Sequence, residues 1–153
     1  SLGYLADVAR LEWAINRARH ADDVAVLDAV AAAAQIGAPS LDLFIGLDPS
    51  CRVVQSSWPI DRIWQAHQQG EEEIGPVDLE AGGVHLFILR RDGEVGWLSL
   101  DAAAFAFIGS LLADGRLGKA HALARAIAPS FNASALLVSL LEGGVVTSVT
   151  AIN

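Results

Sequence analysis

Residues 47–67, LDPSCRVVQSSWPIDRIWQAH, press a turn, a strand and a helix into one short joint. Asp48, Pro49 and Ser50 read as the turn, because proline presets one turn torsion and Asp and Ser side chains bond back to the backbone. Arg52-Val53-Val54-Gln55-Ser56 reads as a strand. Pro59 follows Trp58 where a helix can begin without the missing N–H, and Ile60, Ile63 and Trp64 recur at helical spacing. A short helix over 59–68 with one apolar face is predicted. A buried tryptophan withdraws roughly 150–250 Å² from water, so the joint, flanked by two of them, is expected to be a hub of the core.

Around it the pattern predicts an α+β chain. Tyr4 to Arg19 is an amphipathic helix whose stripe is Tyr4, Val8, Leu11, Ile15 and Ala18, widened by Leu5, Ala9 and Trp13. Glu12 lies beside that stripe and is expected to be partly buried, paired with Arg52 or Arg62. An alanine-rich helix over 28–36, stopped by Gly37, would complete an N-terminal helix pair. Residues 41–47 read as a strand that forms a hairpin with 52–57. A second hairpin, 84–91 with 94–99, turns at Asp92-Gly93, the pair suited to two positive φ angles. Both faces of its first strand are apolar, Leu86 and Ile88 on one side and Phe87 and Leu89 on the other, which marks a central or covered strand.

The last third is helical: Ala102 to about Ala113 behind an Asp101 cap, Leu117 to Ala128, and Ala133 to Glu142 behind an Asn132 cap. A β-rich stretch over 145–152 closes the chain, and three short helices before a strand suggest a winged-helix-like layout. The expected architecture is one domain over 1–153, with an antiparallel sheet of two hairpins between the helix pair and the helical third. Its expected core contains Trp13, Val54, Trp58, Ile63, Trp64, Leu86, Ile88, Trp97, Phe105 and Ile108.

The residues name no chemistry of their own. His20, His67, His85 and His121 have no metal-ligand spacing, and Cys51 has no evident activator. The sequence lacks GxSxG, P-loop and GxGxxG motifs, and no carboxylate pair has a defined spacing on one predicted face. No catalytic, cofactor-binding or metal-binding residue is assigned, and the chain is expected not to be an enzyme by itself. A single cysteine excludes an internal disulfide and points to a reducing compartment. With no apolar run long enough to span a bilayer, the expected location is the cytoplasm.

One resemblance bears on function. The strings YLADVARLEWAINRA at 4–18, PSCRVVQSSWPIDRIWQAHQ at 49–68 and GGVHLFILRRDGEVGWLSLD at 82–101 resemble the C-terminal part of HvfC/BufC-type proteins, over nearly the whole chain. LEWA and SxWPIxxIW are its most specific elements. Members are labelled DNA-binding or described as partner chaperones of multinuclear non-haem iron-dependent oxidative enzymes that modify ribosomally made peptides. The helical N-terminal domain usual in that family is missing before Ser1, so the chain is read as a fragment or a shortened member. The resemblance implies holding a precursor leader peptide and docking on the iron enzyme, which would house the iron. In some members the peptides carry cysteine and serve copper homeostasis.

Two classes of partner therefore compete. An exposed sheet edge can accept an extended peptide as a further strand, with Arg62, Arg90 and Arg91 as exposed candidate contacts. Duplex DNA would have to be met by Arg116, Lys119 and Arg125 on a chain of net charge −8, a poor supply of cations for phosphate neutralisation. Peptide and enzyme partnership is the preferred reading. DNA binding and a purely structural role in an assembly are the alternatives.

Overall fold

The computed structural model describes residues 3–28, 41–69 and 77–152. Along them run α1 (Tyr4–Arg19), β1 (Leu43–Leu47), β2 (Arg52–Ser56), α2 (Ile60–Gln69), β3 (Val84–Arg91), β4 (Glu94–Ser99), α3 (Ala102–Asp114), α4 (Leu117–Ile127), α5 (Ala133–Glu142) and β5 (Val146–Ala151). The class is α+β, with two antiparallel sheets ordered β2-β3-β4 and β1-β5. The expected helix over 28–36 lies almost wholly outside the described residues.

Local chemistry explains most boundaries. Asp101 caps α3 by accepting the Ala104 N–H at 2.8 Å, and Asn132 caps α5 by accepting the Ala135 N–H at 3.0 Å. Gly115, at φ 75°, ends α3 in the left-handed conformation and donates to the Leu111 carbonyl. Asp92 and Gly93, at φ 52° and 79°, make the two-residue turn between β3 and β4. The end of α1 has a less usual solution. The Arg90 guanidinium donates to the carbonyls of Ala18, Arg19 and Ala21 and pairs with Asp23 at 2.8 Å, closing orphan acceptors that a helix end leaves open.

β3 is the shared wall of two apolar clusters. Leu86 and Ile88 pack with Val8, Leu11, Ile15 and Ala18 of α1 and Ile60 and Ile63 of α2. Phe87 and Leu89, on the opposite face, join Ile45, Phe107, Ile108, Leu111, Leu137 and Val146. A strand buried on both faces is the environment its unbroken apolar sequence anticipates.

The first expected hairpin does not form. β1 pairs with β5 (Ile45 opposite Val149), and β2 pairs with β3 (Val54 opposite Leu86). The 48–51 turn is instead a crossover between sheets: Asp48 accepts the Ser50 and Cys51 N–H groups, while its own N–H donates to Val145 at 2.8 Å and keeps β1 on β5. Ser50 is fully buried there, and its Oγ accepts the Arg90 N–H at 3.0 Å. An isolated Phe44–Arg116 bridge flanks β1 on its other side. The helical third thus ends in one strand, β5, whose partner β1 comes from before the first of its helices.

The core differs from expectation at the aromatics. Val54, Ile63, Leu86, Ile88 and Ile108 are buried. Trp58, Trp64 and Trp97 are half-buried against the α1 cluster, with Trp64 and Trp97 edge to face at 5.5 Å. Phe105 is half-buried beside His85, whereas Phe107 holds the core position. Trp13 is 63% exposed, and Leu5 and Glu12 also face solvent, so the α1 stripe is narrower than its sequence suggests. Glu12 pairs with neither Arg52 nor Arg62; Arg52 donates instead to the Pro49 and Cys51 carbonyls.

α1 is pinned to the sheet through Asp7, which accepts from Ser56 Oγ at 2.6 Å and pairs with Arg10. The Ser56 bond, then the Arg10 guanidinium, lower the Asp7 pKa. A depressed carboxylate contributes stability above its unfolded pKa, and that contribution is lost as pH falls through the folded value. Asp7→Asn should therefore be less stable than the parent at neutral pH. Urea midpoints measured down the acid limb should converge below the ordinary aspartate range.

Candidate functional site

The antiparallel ladder settles which backbone groups are free. Arg91 and Glu94 flank the two-residue turn and form a bonded pair, so bonded pairs recur at Leu89/Gly96 and Phe87/Leu98. The Leu100 N–H, donating to His85 at 2.8 Å, continues the series. Val95, Trp97 and Ser99 consequently aim N–H and C=O away from β3. Among the described residues no strand lies beside β4.

The other sheet borders are engaged to differing degrees. On β2 the Gln55 carbonyl accepts Arg10 at 3.1 Å. On β1 the Ile45 N–H donates to Gly115 at 2.8 Å. On β5 the Val146 carbonyl accepts the Leu27 N–H at 3.0 Å.

Along β4 runs a groove of about 300 Å³ lined by Leu89, Arg91, Glu94, Val95, Gly96, Trp97 and Leu98. Leu98, 58% exposed, adds apolar wall beside the free backbone. Free backbone beside apolar wall is what strand addition requires.

The three arginine candidates separate. Arg91 stands at the groove mouth and donates to the Gly143 carbonyl. Arg62 is exposed on α2, away from the groove lining. Arg90 is not an exposed contact: its side chain is largely buried and occupied by the end of α1. Sequence reading missed Gly96 and Leu98; the one local signal was a glycine inside a hairpin strand, which often marks a bulge, a bend or a close approach.

A second concavity, about 480 Å³, lies at the end of α1, where Trp13, Asn16, Arg17 and His20 face Pro49 and Arg52. The Arg17 guanidinium sits 5.7 Å from the Trp13 ring centroid, within cation–π range.

Cys51 is 1% exposed, and burial, reinforced by the Asp48 carboxylate, pushes its thiol up to about 12. It is held as a neutral packing residue. Iodoacetamide at pH 8 should leave Cys51 intact in the folded chain and alkylate it once guanidinium unfolds the protein, as read by intact mass.

The cations proposed for DNA are each occupied. Lys119 pairs with Asp114 at 3.0 Å, Arg116 lies over the Phe44 ring, and Arg125 donates to the Phe131 carbonyl. The exposed face of α5 offers Ser134, Ala135, Val138, Ser139 and Glu142, with no basic residue. Among the described residues no helix is long and apolar enough to cross a membrane, and no three His, Cys, Asp or Glu side chains form a metal-sized group. No family model, curated protein or solved structure matches the chain.

Proposed function

We propose that the chain is a recognition module of the HvfC/BufC type: it holds a ribosomally made precursor peptide by its leader and docks on an iron-dependent peptide-modifying enzyme in the cytoplasm. The observation that carries this reading is the unpaired border of β4, where Val95, Trp97 and Ser99 present backbone beside an apolar groove. A leader added there would gain affinity from main-chain bonds and selectivity from alternate side chains. The chain's part is to bind and orient; the oxidative chemistry belongs to the partner.

The Trp13 face is the docking surface in this proposal. Exposed Trp and Arg are the residue types that dominate interface energetics once buried, and here they share one concavity. Trp13→Ala should lower the urea midpoint far less than a core substitution while reducing co-purification of the enzyme, because most of the residue is exposed in the free chain.

The deciding experiment is a titration of the ¹⁵N-labelled chain with the leader of a precursor peptide encoded beside it. Amide shifts concentrated at Val95, Trp97 and Ser99 support the proposal. Shifts on α4 and α5 with duplex DNA, fading as salt rises, would replace it with the DNA-binding reading.

A further inference from the structure

Gly96 is the middle residue of the β4 border, opposite Leu89 in the ladder. A Cβ built on it meets no atom within 4 Å, so the space above its backbone is open. It has no positive φ and makes no turn; its conformation is one that any strand residue could adopt. Glycine in a strand weakens it, and it commonly marks a place where another chain comes close. Here the open space is walled by Leu89 beneath and Leu98 alongside, within the groove already described.

A strand added antiparallel to β4 would meet this space in a fixed way. Gly96 spends its N–H and C=O on Leu89, so a residue placed opposite it from outside forms a non-bonded pair, the closer of the two cross-strand spacings. That residue's side chain falls on the Gly96 face of the sheet. With no Cβ beneath it, the side chain can lie flat across the glycine and reach Leu89 and Leu98, as large residues do when they cover a glycine in a neighbouring strand. A small side chain there would leave the slot empty.

We propose that Gly96 makes the β4 border selective, so that the bound segment must carry one large apolar side chain, of the Leu or Phe class, opposite it. This rests on the strand-addition reading and adds a requirement that the border alone does not impose.

The probe is a threonine host, Lys-Thr-Thr-Thr-Xaa-Thr-Thr-Thr-Lys with blocked ends and Ala, Val, Leu or Phe as guest, titrated into the ¹⁵N-labelled chain. The guest is the only strongly apolar residue, so it selects its own register. Binding should tighten from Ala to Leu or Phe by about tenfold or more, the factor expected if roughly two of the added carbons are buried in the open groove, with shifts at Val95, Trp97 and Leu98. Gly96→Val should flatten the series while its thermal unfolding stays close to the parent's. Equal binding of all guests, with shifts still at Val95 and Trp97, overturns the slot and leaves strand addition standing. A Gly96→Val chain that keeps the full series also overturns the slot. If no guest moves these amides, the slot and the strand-addition reading fall together.

Discussion

Phe87→Ala should destabilise the chain by about 3–5 kcal/mol, the usual range for emptying a buried aromatic site. Phe87 is 2% exposed and lies on the face of β3 turned to Phe107 and the terminal helices. The vacancy cannot refill easily, because the opposite face of the same strand is fixed by Leu86 and Ile88 against α1 and α2. Trp58, Trp64 and Trp97 all pack against that other cluster, and Trp13 lies on α1 as well. Tryptophan fluorescence therefore reports one side of the wall while the substitution is made on the other. Urea transitions followed by fluorescence and by far-ultraviolet circular dichroism should shift together. A fluorescence midpoint that stays at the parent value would mean the two clusters unfold separately.

Val95→Pro should weaken leader binding by about tenfold or more while leaving the free chain's sheet intact. The Val95 N–H points outward and takes no part in the β3 ladder, so proline there removes a donor that only an added strand would use. Losing one buried backbone bond is worth roughly 1–1.5 kcal/mol, which is about the stated factor, and the ring adds a steric obstacle. Isothermal titration with the leader measures the loss, and circular dichroism checks the fold. Unchanged affinity would remove the β4 border from the proposal.

Elements governed by neighbouring residues were legible in the sequence. Asp101 and Asn132 announced their helices, Asp92-Gly93 announced its hairpin, and the doubly apolar β3 announced its central place. What could not be read was which distant strand claims β1. Two strands separated by a turn normally pair, and nothing local to 41–57 says that β5, a hundred residues on, competes successfully for one of them. Trp13 misled for a related reason: its helical position borders the apolar stripe, and only the tertiary arrangement decides whether that border is covered. Of the site, the hairpin and Arg91 were anticipated. The openness of β4 was not, because a free border is a property of what fails to lie beside it. Arg90 looked like a surface charge because the helix end it secures is about seventy positions earlier.

That Arg90 fastening has a mechanical consequence. By tying the last turn of α1 to the middle strand of the sheet, it completes the hold that Asp7 and the buried stripe begin, and sets the bearing of the Trp13 face relative to the β4 border. In the proposed complex the chain then works as a jig, with cargo on one jaw and enzyme on the other at a set spacing. Loosening that one fastener would leave α1 seated by its apolar stripe and free only its last turn, the end that lines the Trp13 concavity.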